Sequence, residues 1–174
     1  RRTSSAVIVE KRAGEAATLS SRTAVCAMTV RQELDDYCLK QTLAAGAQFA
    51  RIGAILGLEE GAQEVALRTP GQTYRARFLI GADGVHSRIR QRLCGDAPPW
   101  LRRGFALEAQ VRDAGDSNLI FSLAAVRQGY AWVFPEGDHL NIGLYSESAA
   151  EKLNRERLLS WIQARFGQAA IGPT

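Results

Sequence analysis

Long apolar runs are missing from this sequence. None approaches the roughly 20 residues that a membrane-spanning helix requires, which argues against such a helix. No signal peptide is visible at Arg1-Arg2-Thr3, and a cytoplasmic chain is the expectation. Cysteine is sparse. Cys26, Cys38 and Cys94 are odd in number, widely spaced and without C-x-x-C, which argues against a disulfide framework and a zinc site and leaves reduced core thiols as the expectation. Histidine is scarcer still, with His86 and His139 each beside a turn, so no metal-binding set and no proton donor stands out. Basic segments interleaved with aromatics are also absent. The net charge of +4 comes from arginines spread among acids, densest at Arg88, Arg90, Arg92, Arg102 and Arg103, and nucleic acid is not the expected partner. Finally, no G-x-G-x-x-G occurs, so the phosphate-cradling strand-turn-helix of dinucleotide-binding units is lacking.

What is present suffices for one globular domain or two small ones: 174 residues, 46% hydrophobic and 23% charged. The stretch from Arg77 to Leu93 organises the rest. Its apolar run Phe78-Leu79-Ile80 stops at Gly81-Ala82-Asp83-Gly84 and restarts in Ser87-Arg88-Ile89-Arg90-Gln91-Arg92-Leu93, which reads as strand, tight loop, helix. Glycines on both sides of one carboxylate let the backbone turn sharply and approach a ligand closely. Asp83 is thereby placed at the carboxyl end of a buried strand, where it can accept a hydrogen bond from a ribose hydroxyl.

Upstream, Ala6 to Val9, a turn at 12–15 and Ala16 to Ser20 read as a hairpin. Ala24 to Met28 is a further apolar segment. Thr29 and Gln32 then have capping-box spacing, with Leu34, Cys38, Thr42 and Ala45 at helical intervals and Gly46 as the stop. Arg31 falls in the first turn of that helix, where free N–H groups favour an anion and a guanidinium can add a contact to phosphate. Alternation from Gln48 to Glu59, then Val65 to Arg68 and Tyr74 to Ile80, predicts a β-meander leading into the Gly81 loop.

Cys94 to Pro99 reads as a linker and places a domain boundary there, giving 1–96 and 97–174. Beyond it Phe105 to Val111 alternates, Leu119 to Val126 is more fully apolar, and Gly129 to Pro135 turns at 136–138 into a return strand, His139 to Tyr145. Period two puts Tyr130, Trp132 and Phe134 on one face, which can build a sheet core or wall an apolar pocket. Gly143 opposite leaves a gap that lets a ring or chain approach. Ser146 to Phe166 reads as an amphipathic helix packed on the sheet and stopped by Gly167.

The run FLIGADGVHSRIR resembles the second FAD-contacting motif of the flavoprotein monooxygenase and geranylgeranyl reductase superfamily. The resemblance implies that Asp83 lies against the FAD ribose, with Gly81, Ala82 and Gly84 in the same cofactor loop. Arg31 to Cys38, followed by Gly46-Ala47, is similar to that superfamily's R-x-x-(L/F)-D-x-x-L pattern, which implies that Arg31 reaches the flavin; Cys38 replaces the final apolar residue. Tyr130, Trp132, Phe134, Pro135 and Gly143 resemble the Y-x-W-x-F-P and G-x-G signature of geranylgeranyl reductases, which implies a substrate channel. Tyr145 stands where the second glycine of that signature belongs, and a bulky residue there can shorten the pocket.

The expected fold class is therefore α+β / α/β: a partial FAD-binding, glutathione-reductase-like domain (1–96) with an antiparallel β-sheet substrate domain (97–174). The resemblance begins after the superfamily's first flavin motif and ends before its last, so the chain reads as the middle of a longer enzyme that alone holds FAD weakly or not at all. The leading functional expectation is reduction of isoprenoid carbon-carbon double bonds by FAD, with NAD(P)H or another donor as reductant. The alternatives are FAD-dependent aromatic hydroxylation or halogenation, and a non-catalytic β-rich binding fragment. The expected partner is a small apolar substrate such as a prenyl chain, compatible with peripheral association at a membrane surface.

Overall fold

The computed structural model describes residues 2–12, 15–95, 103–112, 118–136, 138–148 and 150–167. The chain forms two compact units: Arg1–Gln41 with Arg102–Thr174, and Thr42–Leu101. This division departs from the boundary expected at 96/97, because the N-terminal hairpin joins the same sheet as the C-terminal strands. The Ala97-Pro98-Pro99 part of the expected linker lies outside the described residues.

In the first unit, β1 (Arg2–Ser4) pairs with β4 (Cys26–Met28). A larger sheet contains β2 (Ala6–Arg12), β3 (Glu15–Ser20), β8 (Phe105–Arg112), β9 (Leu119–Ser122), β10 (Gly129–Glu136) and β11 (His139–Ser146). Its order is β3-β2-β9-β10-β11-β8. Pairing is antiparallel except between β2 and β9, which run parallel with Ile8 opposite Ile120. The expected hairpins at 6–20 and 130–145 are both present. The expected strand 119–126 stops at Ser122, and a turn carries Gln128 at a φ of 49° into β10.

Alternation in β8, β10 and β11 gives this sheet two apolar faces. Val111, Ile120, Ala131, Val133, Leu140, Ile142 and Leu144 make the core on one, closed by Leu158 and Ile162 of α3 (Arg155–Phe166). Ile142, Leu144 and Ile162 are fully buried, and burying a side chain of that size stabilises a fold by about 1.5–3 kcal/mol. The helix starts later than the apolar pattern from Ser146 suggested, because Asn154 caps it: Asn154 Oδ1 accepts from the Arg157 N–H at 2.9 Å. Gly167, at a φ of 80°, ends it. Arg165 near its end donates to both oxygens of Glu10 on β2, at 2.8 and 2.9 Å.

In the second unit, β5 (Gly57–Glu60), β6 (Val65–Arg68) and β7 (Thr73–Ala76) form the expected antiparallel meander. Its turns close through Gly61 N–H to Glu64 C=O at 2.8 Å and Thr69 N–H to Gln72 C=O at 3.0 Å. α2 (Arg88–Cys94) follows. The expected strands 48–59 and 74–80 form only in part, as β5 and β7: residues 47–56 and 77–82 have no regular structure, so Asp83 does not follow a buried strand. Phe78 and Ile80 are 76% and 86% exposed, and Phe49 and Leu56 are exposed too. A strand needs a neighbour along its length, and among the described residues no strand ladder includes these segments, although the Leu56 N–H reaches the Arg68 carbonyl at 2.8 Å.

The helix opened by the Arg31 pattern is α1 (Arg31–Ala44), which starts in the first unit and ends in the second. It begins one residue after the predicted cap would place it: the Val30 carbonyl, not that of Thr29, accepts the first helical bond, from Leu34. Gly46, at a φ of 92°, stops it as expected. The thiols form no disulfide among the described residues and do not lie in a core: Cys38 and Cys94 are exposed and Cys26 is half-buried. Among the described residues no helix is long and apolar enough to cross a membrane.

Candidate functional site

The Gly81 loop of the second unit is built around the Asp83 carboxylate. One oxygen accepts from the Ser87 hydroxyl; the other accepts from the backbone N–H groups of Arg88, at 2.7 Å, and Ile89, at 3.3 Å. Ser87 in turn accepts from the Arg90 N–H at 2.9 Å, so a serine and an aspartate together satisfy the first free donors of α2. The Ser87 bond comes first among the causes that hold the Asp83 carboxyl below its ordinary range, and the two backbone donors add to it. Gly84 takes a φ of 80°, which a side chain disfavours. Gly81 is small for a packing reason: a Cβ there would lie 2.8 Å from Ile89 Cγ2. Ala82 and both glycines are exposed beside Asp83.

Ser87 escaped the sequence reading as a site residue. Its signal was the spacing Asp83-x-x-x-Ser87 directly before a helical run. Arg90, in the first turn of α2, carries a buried Nη1 with no hydrogen-bond partner among the described residues. Arg92 reaches the Ile55 carbonyl at 2.7 Å and ties α2 to the irregular segment before the meander.

Arg31, in the first unit, opens α1 as expected. Its side chain is 84% exposed, and its Nε donates to both oxygens of Asp35, at 2.7 and 2.8 Å. That bond raises the guanidinium pKa and makes Asp35 the residue that orients Arg31. The aspartate of the R-x-x-L-D pattern thus has a structural role of its own.

The second face of the large sheet carries the aromatic residues. Register places Trp132 between Gly143 and Phe121, Tyr130 opposite Tyr145, and Phe134 opposite Asn141. Ring centroids lie 5.7 Å apart for Phe121 and Tyr130, 5.3 Å for Phe121 and Phe134, 6.0 Å for Trp132 and Phe134, and 5.3 Å for Tyr130 and Tyr145. These are edge-on and tilted contacts of the kind that aromatic quadrupoles favour.

Two expected substrate-lining residues are corrected here. Pro135 is fully buried and shares its parity with Ala131 and Val133, so it belongs to the core face rather than the aromatic one. Gly143 offers no open gap: a Cβ there would lie 2.1 Å from Trp132 Cζ2, so the indole itself occupies that space. Tyr145 similarly lies over Gly104, where a Cβ would sit 2.3 Å from its Cε2, and donates to Glu147 at 3.0 Å.

Polar groups rim this face. Trp132 Nε1 donates to Asn141 Oδ1 at 2.7 Å, and Asn141 Nδ2 donates to Glu108 Oε2 at 3.3 Å. Burial pushes the Glu136 carboxyl up; the neighbouring His139 opposes this and Glu108 adds to it. His139 also approaches Asp138 through Nδ1 at 3.0 Å, while His86 is exposed. The sequence reading missed Phe121, Asn141 and Glu108; the parity of β11 marks Asn141, but only cross-strand pairing reveals the other two.

Comparison with known proteins bears on the first half of the chain most directly. A family profile described as FAD binding domain matches residues 2–98, more than half of the sequence. The chain belongs to the FAD-binding domain family. This is a group A monooxygenase-like family of flavin-dependent oxidoreductases, and FAD is its cofactor. An uncharacterised protein of Methanosarcina barkeri is 27% identical over 149 residues, covering 83% of this chain and 38% of its own length.

Among solved structures, halogenase PltM, determined with phloroglucinol and FAD, is similar with a TM-score of 0.72 at 12% identity, over 95% of this chain and 39% of that one. PqsL, a probable FAD-dependent monooxygenase from Pseudomonas aeruginosa, gives 0.60 at 20% identity, over 83% and 43%. The flavin-dependent halogenase CmlS gives 0.65 at 16%, over 95% and 32%. At these identities the likeness is one of fold. The FAD-binding domain chain spans less than half the length of each of these proteins.

A carboxylate has about four acceptor sites, so Asp83 with its three donors keeps room for one hydroxyl.

Proposed function

We propose that this chain supplies the cofactor loop and the substrate wall of an FAD-dependent oxidoreductase that hydroxylates or halogenates an aromatic substrate with oxygen. The observation that carries the reading is the face formed by Phe121, Tyr130, Trp132, Phe134 and Tyr145, apolar at its centre and rimmed by Glu108, Asn141 and Glu136. A planar ring lies well on such a face, and a hydroxyl or amine on that ring meets the rim. The similarity in fold to a probable monooxygenase and to halogenases supports the same chemistry.

In this reading Asp83 holds a ribose hydroxyl, Arg31 contacts phosphate or flavin, and NAD(P)H is the reductant. FAD, when bound, supplies the redox chemistry, and the protein supplies binding, orientation and exclusion of water. Reduction of a prenyl chain is the second reading, resting on the Tyr130-x-Trp132-x-Phe134-Pro135 run. Three features weigh against it: the indole fills the space over Gly143, Tyr145 covers Gly104, and Pro135 faces the core.

The deciding experiment uses the longest natural protein that contains this chain, loaded with FAD. Consumption of NAD(P)H that needs oxygen and is stimulated by phenols, with a hydroxylated product or, when halide is added, a halogenated one, is the expected result. Anaerobic saturation of a geranylgeranyl substrate, with no phenol effect, would overturn the reading.

A further inference from the structure

Of all the groups on the aromatic face, the indole of Trp132 has the most constrained surroundings. It is 92% buried (8% exposed), it lies over a glycine that no other residue can replace without displacing it, and its single polar atom is satisfied by one acceptor, Asn141 Oδ1. An indole N–H can only donate, and a carboxylate can only accept. Between Trp132 and Glu108 the Asn141 amide therefore has one allowed orientation, oxygen toward the indole and nitrogen toward the acid, as observed at 2.7 and 3.3 Å.

We propose that Asn141 is a positioning residue for substrate selection: with Glu108 behind it, it holds the Trp132 ring over Gly143 and thereby sets the shape of the substrate face. The proposal rests on the reading of this face as a substrate wall. Register supports a direct relay, because Glu108 and Trp132 flank Gly143 in the same cross-strand row and Asn141 is two residues along the middle strand. Without the amide acceptor the indole N–H is left unpaired in a buried setting, which favours rotation of the ring off Gly143 toward water. Rotation would take the ring into the space beside Tyr130 and Phe134, whose centroids lie 6.1 and 6.0 Å from it. The face would lose the ring at its centre while the core on the other side of the sheet stayed intact.

The relay is tested by hydrogen exchange of the Trp132 indole N–H in the full chain, its NMR signal assigned by its loss in Trp132→Phe. Asn141→Leu is expected to speed exchange about tenfold, the equivalent of ~1.4 kcal/mol. Glu108→Gln, whose side-chain oxygen still accepts from the amide, leaves exchange unchanged. Asn141→Asp sets two carboxylates against each other and speeds exchange, and the pair Asn141→Asp with Glu108→Gln restores it by recreating one donor and one acceptor. This rescue keeps the test sound if Asn141→Leu folds poorly. Binding of phloroglucinol, the aromatic probe, is expected to weaken about tenfold in Asn141→Leu.

Unchanged exchange in Asn141→Leu, or failure of the double variant to restore it, would overturn the relay. Exchange that follows the predicted order while phloroglucinol binds all variants equally would overturn the selection role. Absence of phloroglucinol binding to the parent chain would instead count against the aromatic-substrate reading, with the exchange data still deciding the relay.

Discussion

Gly143 illustrates how one missing side chain can serve the protein rather than its ligand. Its α-carbon is the seat of the Trp132 indole, and a methyl group there would lie 2.1 Å from the ring, which must shift to admit it. Gly143→Ala should therefore destabilise the chain by about 1–3 kcal/mol, the usual cost of overpacking, and shift Trp132 fluorescence toward that of a solvated indole. Urea denaturation followed by tryptophan emission would show both effects; an unshifted spectrum would mean that the ring does not rest on the glycine. Glu10 is the informative ionisable residue. Its hydrogen bonds to Arg165 hold its carboxyl below its ordinary value of 4.5, against the opposing effect of burial. The folded state thus favours the charged form, so the stabilisation is fully present above pH 4.5 and is lost as pH falls through the lowered folded-state value. Glu10→Gln should cost about 1 kcal/mol near neutrality and flatten the acid limb of a stability-versus-pH curve.

α2 and β10 show two ways in which an element owes its shape to residues outside its own periodic pattern. The seven residues of α2 are too few to be stable on propensity alone, and its first turn is basic, the unfavourable sign for that end. Asp83 and Ser87 compensate by accepting from the N–H groups of Arg88, Ile89 and Arg90. Ser87→Ala is expected to raise amide exchange at Arg90 and to lower stability by ~1 kcal/mol, with the Gly81 loop loosened in step. Amide exchange at Arg88 to Arg90 measures it, and unchanged protection would show that the helix holds without its caps. In β10 the sequence alternation already separates Tyr130, Trp132 and Phe134 from Ala131, Val133 and Pro135. What alternation does not show is which face receives α3, and that choice sends Pro135 to the core and the rings to the other side.

For the molecule as a whole, the relevant fact is that the chain spans less than half of the proteins it resembles. It contains the Asp83 loop but no G-x-G-x-x-G, and the backbone phosphate cradle is a large share of dinucleotide affinity. The purified 174-residue chain should therefore carry well under one equivalent of FAD after gel filtration. Absorbance near the flavin maximum, measured against protein, checks this, and a stoichiometric flavin content would show that Asp83, Arg90 and their neighbours suffice.

Local chemistry alone was enough to read the 6–20 and 130–145 hairpins, the meander, the helix stops at Gly46 and Gly167, and the Asp83 loop, because turn residues, capping groups and period-two alternation act over a few neighbours. The α+β character and the flavin family were legible for the same reason: both lie in short motifs. Tertiary structure decided what depends on distant partners. It paired β2 with β9 and so joined the N-terminal hairpin to the C-terminal sheet, it gave Asp83 a capping role beside its expected one, and it brought Glu108, Asn141 and Phe121 to Trp132. It also left 78–80 without the strand its alternation predicted. A strand becomes one only when another strand lies beside it, and no stretch of sequence contains its own neighbour.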